Sequence, residues 1–329
     1  MSDRKWQAAG DLFREFQALG RASLAVDVQD SHSGNMAVLR ADGRGGEEIV
    51  ITATGSQKGD LEPGQICVLS ATETDFGYYK ASSETDIHAR ILRLPGVRAS
   101  MHAHVKELVA ATLDDAPKPA RPPDFVPVDP LGWHHLGGAV PVDWFAVPSG
   151  SPELARVIPE RLAAHPLTII FGHGAMARGR TLRETFFLLA VGNASGAVVR
   201  SMERMRIDVG AVRREIAADP GRAFAAPPPA YEAEGDDRSE FRDEAEILAE
   251  FAKAGHRVFE SRLSPFHTGS MSVRGVEAML YAPKASMPRD VGGPLLRVPL
   301  AAGPGDDAET ALHKAVYAAS DFQTVMHCH

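Results

Sequence analysis

The apolar positions of the first stretch follow a helical period. Leu12, Phe13, Phe16 and Leu19 fall on one side of a helix over about residues 5–21, and Gly20 reads as its stop. Residues 49–52 and 66–69 are short apolar runs that predict strands, with the turn-rich segment 55–60 between them. Ser82 or Ser83 is placed to cap a helix carrying Ile87, Ile91 and Leu92. Residues 97–104 predict a strand, and alternation puts His102 and His104 on the same face. A Pro-rich loop is expected over 115–138. A helix over 152–164, a buried strand over 167–171 and a long amphipathic helix from 181 to about 217 follow. The stretch 219–238, rich in Pro, Gly and acidic residues, predicts a linker.

One pattern occurs twice. Glu84-Thr85-Asp86-Ile87-His88 precedes Met101-His102-Ala103-His104, and Glu309-Thr310-Ala311-Leu312-His313 precedes Met326-His327-Cys328-His329. The Glu lies 18 residues before the first His of the pair in both cases. Upstream, His32-Ser33-Gly34-Asn35-Met36-Ala37-Val38 answers to His267-Thr268-Gly269-Ser270-Met271-Ser272-Val273. A repeat of this length implies two copies of one structural unit. The expected organisation is a first domain over 1–218, a linker over 219–238, and an incomplete second copy over 239–329. That copy ends before any counterpart of His173, and a non-catalytic, structural role is expected for it.

Composition narrows the class. The 329 residues are 44% hydrophobic with a formal net charge of −8, which suits a globular chain and argues against a general nucleic-acid binder. No apolar run approaches a membrane span, and Met1 to Trp6 lacks the apolar core of a signal peptide. No membrane partner and a cytoplasmic location are therefore expected. Cys67, in an apolar run, reads as a buried free thiol.

A carboxylate followed by paired histidines points to a metal. Catalytic zinc takes imidazole or carboxylate donors from several directions and keeps one position open. His102 and His104 supply two donors from one strand. His173 lies just past another strand and is followed by Gly174, and Glu84 at a helix start is the natural carboxylate. By pattern alone, a strand-borne H-x-H also suits a solvated or hydrogen-bonded pair. Thr54-Gly55 suits an ordinary turn, and Ser82-Ser83 a helix cap.

Ser33-Gly34-Asn35, Ile51-Thr52-Ala53-Thr54-Gly55, Ser82-Ser83-Glu84, His102-Ala103-His104 and Gly172-His173-Gly174 occur in the order and near the spacings of the class II aldolase/adducin family. The chain resembles that family over about residues 7–215, and in part over 240–329. The five ordered motifs are specific together and weak singly. The resemblance implies a three-layer α/β/α fold around a central, largely antiparallel sheet, plus a partial repeat of the same unit. It implies Zn2+, or another divalent metal, on His102, His104 and His173, with Glu84 as acid/base. It puts a substrate phosphate against Asn35, Thr54, Gly55, Ser82 and Ser83, with Lys58 either a further contact or a solvated surface charge. The implied activity is that of an aldehyde-lyase cleaving a small phosphorylated ketose through a metal-stabilised enediolate. Sugar-phosphate epimerase, dehydratase or decarboxylase chemistry, or a non-catalytic adducin-like interaction domain, are the alternatives. Homo-oligomers are expected. Departures are Ala81 where proline is usual, Gly172 before the third histidine, and Trp133-His134-His135 where other members carry a second proton shuttle. His134 is the candidate for that role, because an imidazole titrates near neutral pH.

Overall fold

The computed structural model describes residues 4–30, 32–70, 74–75, 80–113, 121–220, 244–261, 269–283 and 295–328. The chain divides into two units, Met1–Phe224 and Ala225–His329. The expected linker lies largely outside the described residues, as does His329.

Unit 1 opens with helix α1 (Arg4–Ala25), followed by β1 (Asn35–Ala41), β2 (Glu47–Thr52), β3 (Ile66–Ser70) and β4 (Thr74–Asp75). Then come α2 (Thr85–Ile91), β5 (Ala99–Ala103), α3 (Lys106–Ala110), α4 (Pro130–Leu136) and β6 (Val142–Asp143). The unit closes with α5 (Pro152–Ala164), β7 (Leu167–Ile170), β8 (Gly174–Gly179), α6 (Leu182–Arg204) and α7 (Val209–Ala218). The strands form one sheet in the order β4-β3-β2-β1-β5-β8-β7-β6. Every pairing is antiparallel except β6 with β7. Helices α2 and α5 cover one face, where Ile87, Ile91, Leu154 and Ile158 pack with Ala37, Ile51, Ile170 and Met176. On the sheet's other side α6 packs against β5 and β8 and against α1, α3 and α4. All five residues of β5 are buried, as a central strand covered on both faces requires. Cys67 is a buried free thiol, as expected.

By length and composition α6 meets the criteria for a membrane span, the one such helix among the described residues. Its apolar surface is accounted for by the core: 61% of that stretch is buried within the unit.

The chain departs from its local signals at three places. Gly20 does not stop α1, which runs on to Ala25. A Cβ on Gly20 would lie 1.8 Å from the Lys58 carbonyl oxygen, so this glycine serves close packing rather than capping. Gly20→Ala therefore forces backbone apart, and a loss of about 3 kcal/mol is expected, read from urea unfolding at constant m-value; an unchanged midpoint would contradict the packing. Within the expected loop 115–138, Asp129 caps α4 by accepting from the Gly132 N–H at 2.7 Å, Pro130 opens it, and Gly137 at φ 81° ends it. The long helix expected to 217 breaks at Arg206, whose φ is 59°, and restarts on the Asp208 cap.

Unit 2 holds α8 (Glu244–Glu260), β9 (Ser270–Arg274), β10 (Ala278–Ala282), β11 (Leu296–Pro299), α9 (Ala308–Ala319) and β12 (Thr324–His327). Its sheet runs β11-β10-β9-β12, all antiparallel. That is the order of β3-β2-β1-β5 in unit 1. The registers agree as well: Ser270 faces His327 as Asn35 faces His102.

Candidate metal centre

Strand β5 delivers His102 at its end and His104 just beyond it, while the turn from β7 into β8 delivers His173. The antiparallel pairing of β5 with β8 brings these ends together. Ring centroids are 5.2 Å apart for His102 and His104, 5.0 Å for His102 and His173, and 4.7 Å for His104 and His173. One ring nitrogen from each lies within 4.8 Å of the others. Gly174 permits this approach, because a Cβ there would lie 2.8 Å from Cε1 of His102.

Each ring turns its Nδ1 outward to an acceptor. His102 Nδ1 donates to the Ala175 carbonyl at 3.0 Å and His173 Nδ1 to the Pro148 carbonyl at 2.5 Å, while His104 Nδ1 lies 3.8 Å from the Asp30 carboxylate. Such outer partners fix the tautomer of metal-binding imidazoles and leave Nε2 bare. His102 Nε2 is buried without a hydrogen-bond partner. His104 Nε2 and His173 Nε2 are 3.0 Å apart, close to the roughly 3.3 Å edge of a tetrahedron with zinc–nitrogen bonds of about 2.05 Å. An orphaned buried nitrogen beside two converging ones fits a divalent cation. Burial, reinforced by the neighbouring imidazoles, lowers the His104 pKa to about 4 and also lowers that of His173. Both are neutral near pH 7, as ligands must be.

Glu84 stands beside the triad, buried, with Oε2 4.0 Å from His102 Nε2. Burial opposes ionisation of its carboxyl. The adjacent His102, the Asn35 amide, His88 and His173 outweigh burial and hold its pKa below the ordinary value. Asn35 Nδ2 donates to Glu84 Oε2 at 2.9 Å, and Asn35 Oδ1 meets His88 Nε2. The side chain expected against a phosphate is thus engaged with Glu84 and His88.

Thr54, Gly55, Ser82 and Ser83 converge. Ala53 bridges Ala81, the Thr54 N–H donates to the Lys80 carbonyl at 2.9 Å, and the Thr54 hydroxyl donates to the Ala81 carbonyl at 2.9 Å. Gly55 and Ser83 are exposed at this junction. Ser82 is not the helix cap; Glu84 holds that position, and Ser82 Oγ accepts from the Glu84 N–H at 3.2 Å. Lys58 is neither a phosphate contact nor solvated. It is wholly buried, and its ammonium donates to the Ser56 carbonyl at 2.6 Å and the His32 carbonyl at 3.3 Å. Burial brings its pKa down to about 8. His134 belongs to α4, which packs on α6 through His135 and Phe187 with ring centroids 4.8 Å apart.

Sequence reasoning passed over Gln29, Asp30, His88 and Ser100. Gln29 Nε2 donates to the His102 carbonyl at 3.0 Å. His88 is fully buried, with Nδ1 2.5 Å from the Ser100 hydroxyl. Its signal was present in the repeated Glu-x-x-x-His spacing of Glu84/His88 and Glu309/His313, which puts both side chains on one helix face.

Burial lowers the His88 pKa to about 4, against about 6.5 in an unfolded chain. Between those values the unfolded chain binds the extra proton, so stability is complete above the unfolded pKa and is lost as pH falls toward 4. From pH 7 to pH 5 this amounts to about 2 kcal/mol. Urea unfolding of the metal-free protein at both pH values should show a loss larger than that, because His104 is depressed as far, and His88→Gln should remove about 2 kcal/mol of it. Equal pH dependence in the two proteins would contradict it.

The model of the Class II Aldolase and Adducin N-terminal domain matches residues 14–195, more than half of the chain. Among solved structures, L-fuculose-1-phosphate aldolase from Thermus thermophilus is 27% identical with a TM-score of 0.50, covering 59% of this chain and 95% of that one. A sugar-phosphate aldolase from Thermotoga maritima is 20% identical, TM-score 0.50, covering 58% and 94%, and supports the fold alone. A curated protein of Nocardia farcinica, named "Probable bifunctional methylthioribose-1-phosphate isomerase/methylthioribulose-1-phosphate dehydratase", is 27% identical over 162 residues. Those residues are 46% of this chain, which spans only 28% of that relative's length.

Proposed function

The chain belongs to the class II aldolase and adducin family, and from that premise we propose that unit 1 is a divalent-metal-dependent lyase acting on a small phosphorylated ketose. The observation that carries the reading is the convergence of His102, His104 and His173 with a bare, buried Nε2 on His102, beside the buried carboxylate of Glu84. His102, His104 and His173 would hold the ion, with zinc the expected metal. When bound, it supplies Lewis acidity toward a carbonyl oxygen and the neighbouring hydroxyl. Glu84 takes and returns the proton at the carbon next to that carbonyl, a role suited to a carboxylate held ionised by its neighbours. The exposed N–H and hydroxyl groups around Gly55 and Ser83 receive the phosphate, as turn N–H groups receive anions without many lysines. Asn35 adds to that contact only with the amide hydrogen that Glu84 leaves free. His134 is the second proton carrier in this reading.

Aldol cleavage of the ketose is the first assignment, supported by the likeness to the Thermus fuculose-phosphate aldolase. Dehydration is the second, supported by the likeness to the Nocardia protein at the same 27% identity. The proton transfer assigned to Glu84 opens dehydration, where the carbon next to the carbonyl loses its proton before the neighbouring hydroxyl leaves, and closes cleavage, where that carbon gains a proton after its bond to the next carbon has broken. A panel of ketose 1-phosphates, including fuculose 1-phosphate and methylthioribulose 1-phosphate, separates them by NMR: cleavage yields two carbonyl products, dehydration one product lacking a water. No turnover of any member by the zinc-loaded protein would defeat both assignments.

Unit 2 is proposed to be a partial, non-catalytic copy of unit 1. The shared strand order and the matching Asn35–His102 and Ser270–His327 registers support this. Its carboxylate and imidazole are engaged with each other, as His327 Nδ1 lies 2.8 and 2.9 Å from the two Glu309 oxygens. Zinc content of a His327→Ala variant checks the reading: it should equal that of the parent, and a loss would restore a metal role to this unit.

A further inference from the structure

Each unit holds a buried histidine that the chemistry above does not use, His88 on α2 and His313 on α9. Their hydrogen bonds have a direction that can be worked out. An ionised carboxylate only accepts, so Asn35 must present its Nδ2 to Glu84 and therefore its Oδ1 to His88. An amide oxygen also only accepts, so His88 Nε2 is the protonated nitrogen. A neutral imidazole carries one N–H, and His88 Nδ1 must then accept from the Ser100 hydroxyl. Every proton in the series Ser100, His88, Asn35, Glu84 points toward Glu84.

Unit 2 repeats the series with different residues. The Ser270 hydroxyl donates to Glu309 at 2.7 Å and so accepts from His313 Nε2 at 2.9 Å. His313 Nδ1 then accepts from the Ser272 hydroxyl at 2.6 Å. The first hydroxyl has changed strands: Ser100 sits on β5 opposite Ala37, whereas Ser272 takes the position of Ala37 on β9, opposite Val325. The middle link has changed from an amide to a hydroxyl. What the two units share is the direction of the bonds and their end on a carboxylate beside the first histidine of the pair.

We propose that His88 is a positioning residue which, through Asn35, holds the Glu84 carboxylate in one orientation beside His102. Its consequence for turnover rests on the reading of Glu84 as the proton-transfer group. A plain tie between helix and sheet is the competing account, and it needs neither the direction nor the carboxylate.

Two substitutions separate them. A glutamine amide nitrogen reaches the place of the imidazole Nε2, whereas an asparagine amide reaches only that of Nδ1. His88→Gln therefore keeps the bond to Asn35, and His88→Asn keeps only the bond to Ser100. In crystals of the zinc-loaded, full-length variants, Glu84 should hold its orientation in His88→Gln and leave it in His88→Asn. Exchange of carbon-bound hydrogen of dihydroxyacetone phosphate with D2O should fall about 100-fold in kcat for His88→Asn, with KM within about threefold. For His88→Gln, kcat should stay within about tenfold of the parent. His313→Asn should lower the melting temperature and leave both kinetic constants unchanged. An unmoved Glu84 in His88→Asn, or rate losses in both His88 variants that merely follow melting temperature, would overturn the proposal. If the parent acts on no phosphorylated ketose, the functional reading fails while the crystal orientations still decide the positioning. Should His88→Asn not fold, ring nitrogen NMR of the parent decides: a proton on Nε2 of His88 is required, and a proton on Nδ1 overturns the series.

Discussion

Replacing His102 and His104 together by alanine should reduce zinc from about one ion per chain to below a tenth, and abolish turnover. The triad places one ring nitrogen from each histidine within 4.8 Å of the others. Two alanines leave His173 alone, and one imidazole does not hold zinc against dialysis. The fold should survive the change, because the loss is confined to the end of β5, whose other residues stay paired to β1 and β8. Elemental analysis after dialysis, alongside circular dichroism, checks both parts. Full zinc in the double variant would remove the triad from the account. Loss of the fold together with the metal would make the histidines structural rather than catalytic.

The second large effect is expected at Glu84. Glu84→Gln keeps an acceptor oxygen for the Asn35 amide and nearly the same volume, so packing and metal should persist. What it removes is a group able to take a proton, and kcat should fall by a factor on the order of 10² to 10⁴. KM should change little, since the phosphate contacts assigned to Thr54, Gly55, Ser82 and Ser83 are untouched. Steady-state kinetics on whichever ketose phosphate the panel identifies provides the measurement. Near-normal kcat would move proton transfer elsewhere, with His134 the next candidate to replace.

Much of this site is readable as one-dimensional spacing. The 18-residue step from Glu84 to His102 recurs from Glu309 to His327, and the H-x-H alternation anticipates two donors at one strand end. The largely antiparallel sheet followed from resemblance to a family rather than from periodicity, since β1 and β8 carry no strong strand signal of their own. What stayed hidden was set by partners distant in sequence. Asn35 is expected against a phosphate, from the resemblance, until β1 pairs with β5 and turns it onto Glu84 and His88, 49 and 53 residues away. Lys58 reads as a surface charge until two backbone carbonyls and the close approach of Gly20 enclose it. Gly20 looks like a helix stop because a glycine's local signal does not distinguish a cap from a tight contact. The break at Arg206 rests on a positive φ that side chains rarely adopt, and it is fixed by the Asp208 cap that follows.

The central claim joins a three-histidine metal centre to a proton transfer by Glu84 on a phosphorylated ketose. It is tested most directly by incubating the zinc-loaded protein with dihydroxyacetone phosphate in D2O and following its carbon-bound hydrogens by NMR. This is the smallest phosphorylated ketone with a hydroxyl beside the carbonyl, so exchange needs only the metal and the base. The account predicts exchange that vanishes in His102→Ala/His104→Ala and falls at least about 100-fold in Glu84→Gln. Exchange at the parent rate in Glu84→Gln, or none in a parent carrying full zinc that also leaves every ketose phosphate of the panel unchanged, would contradict it.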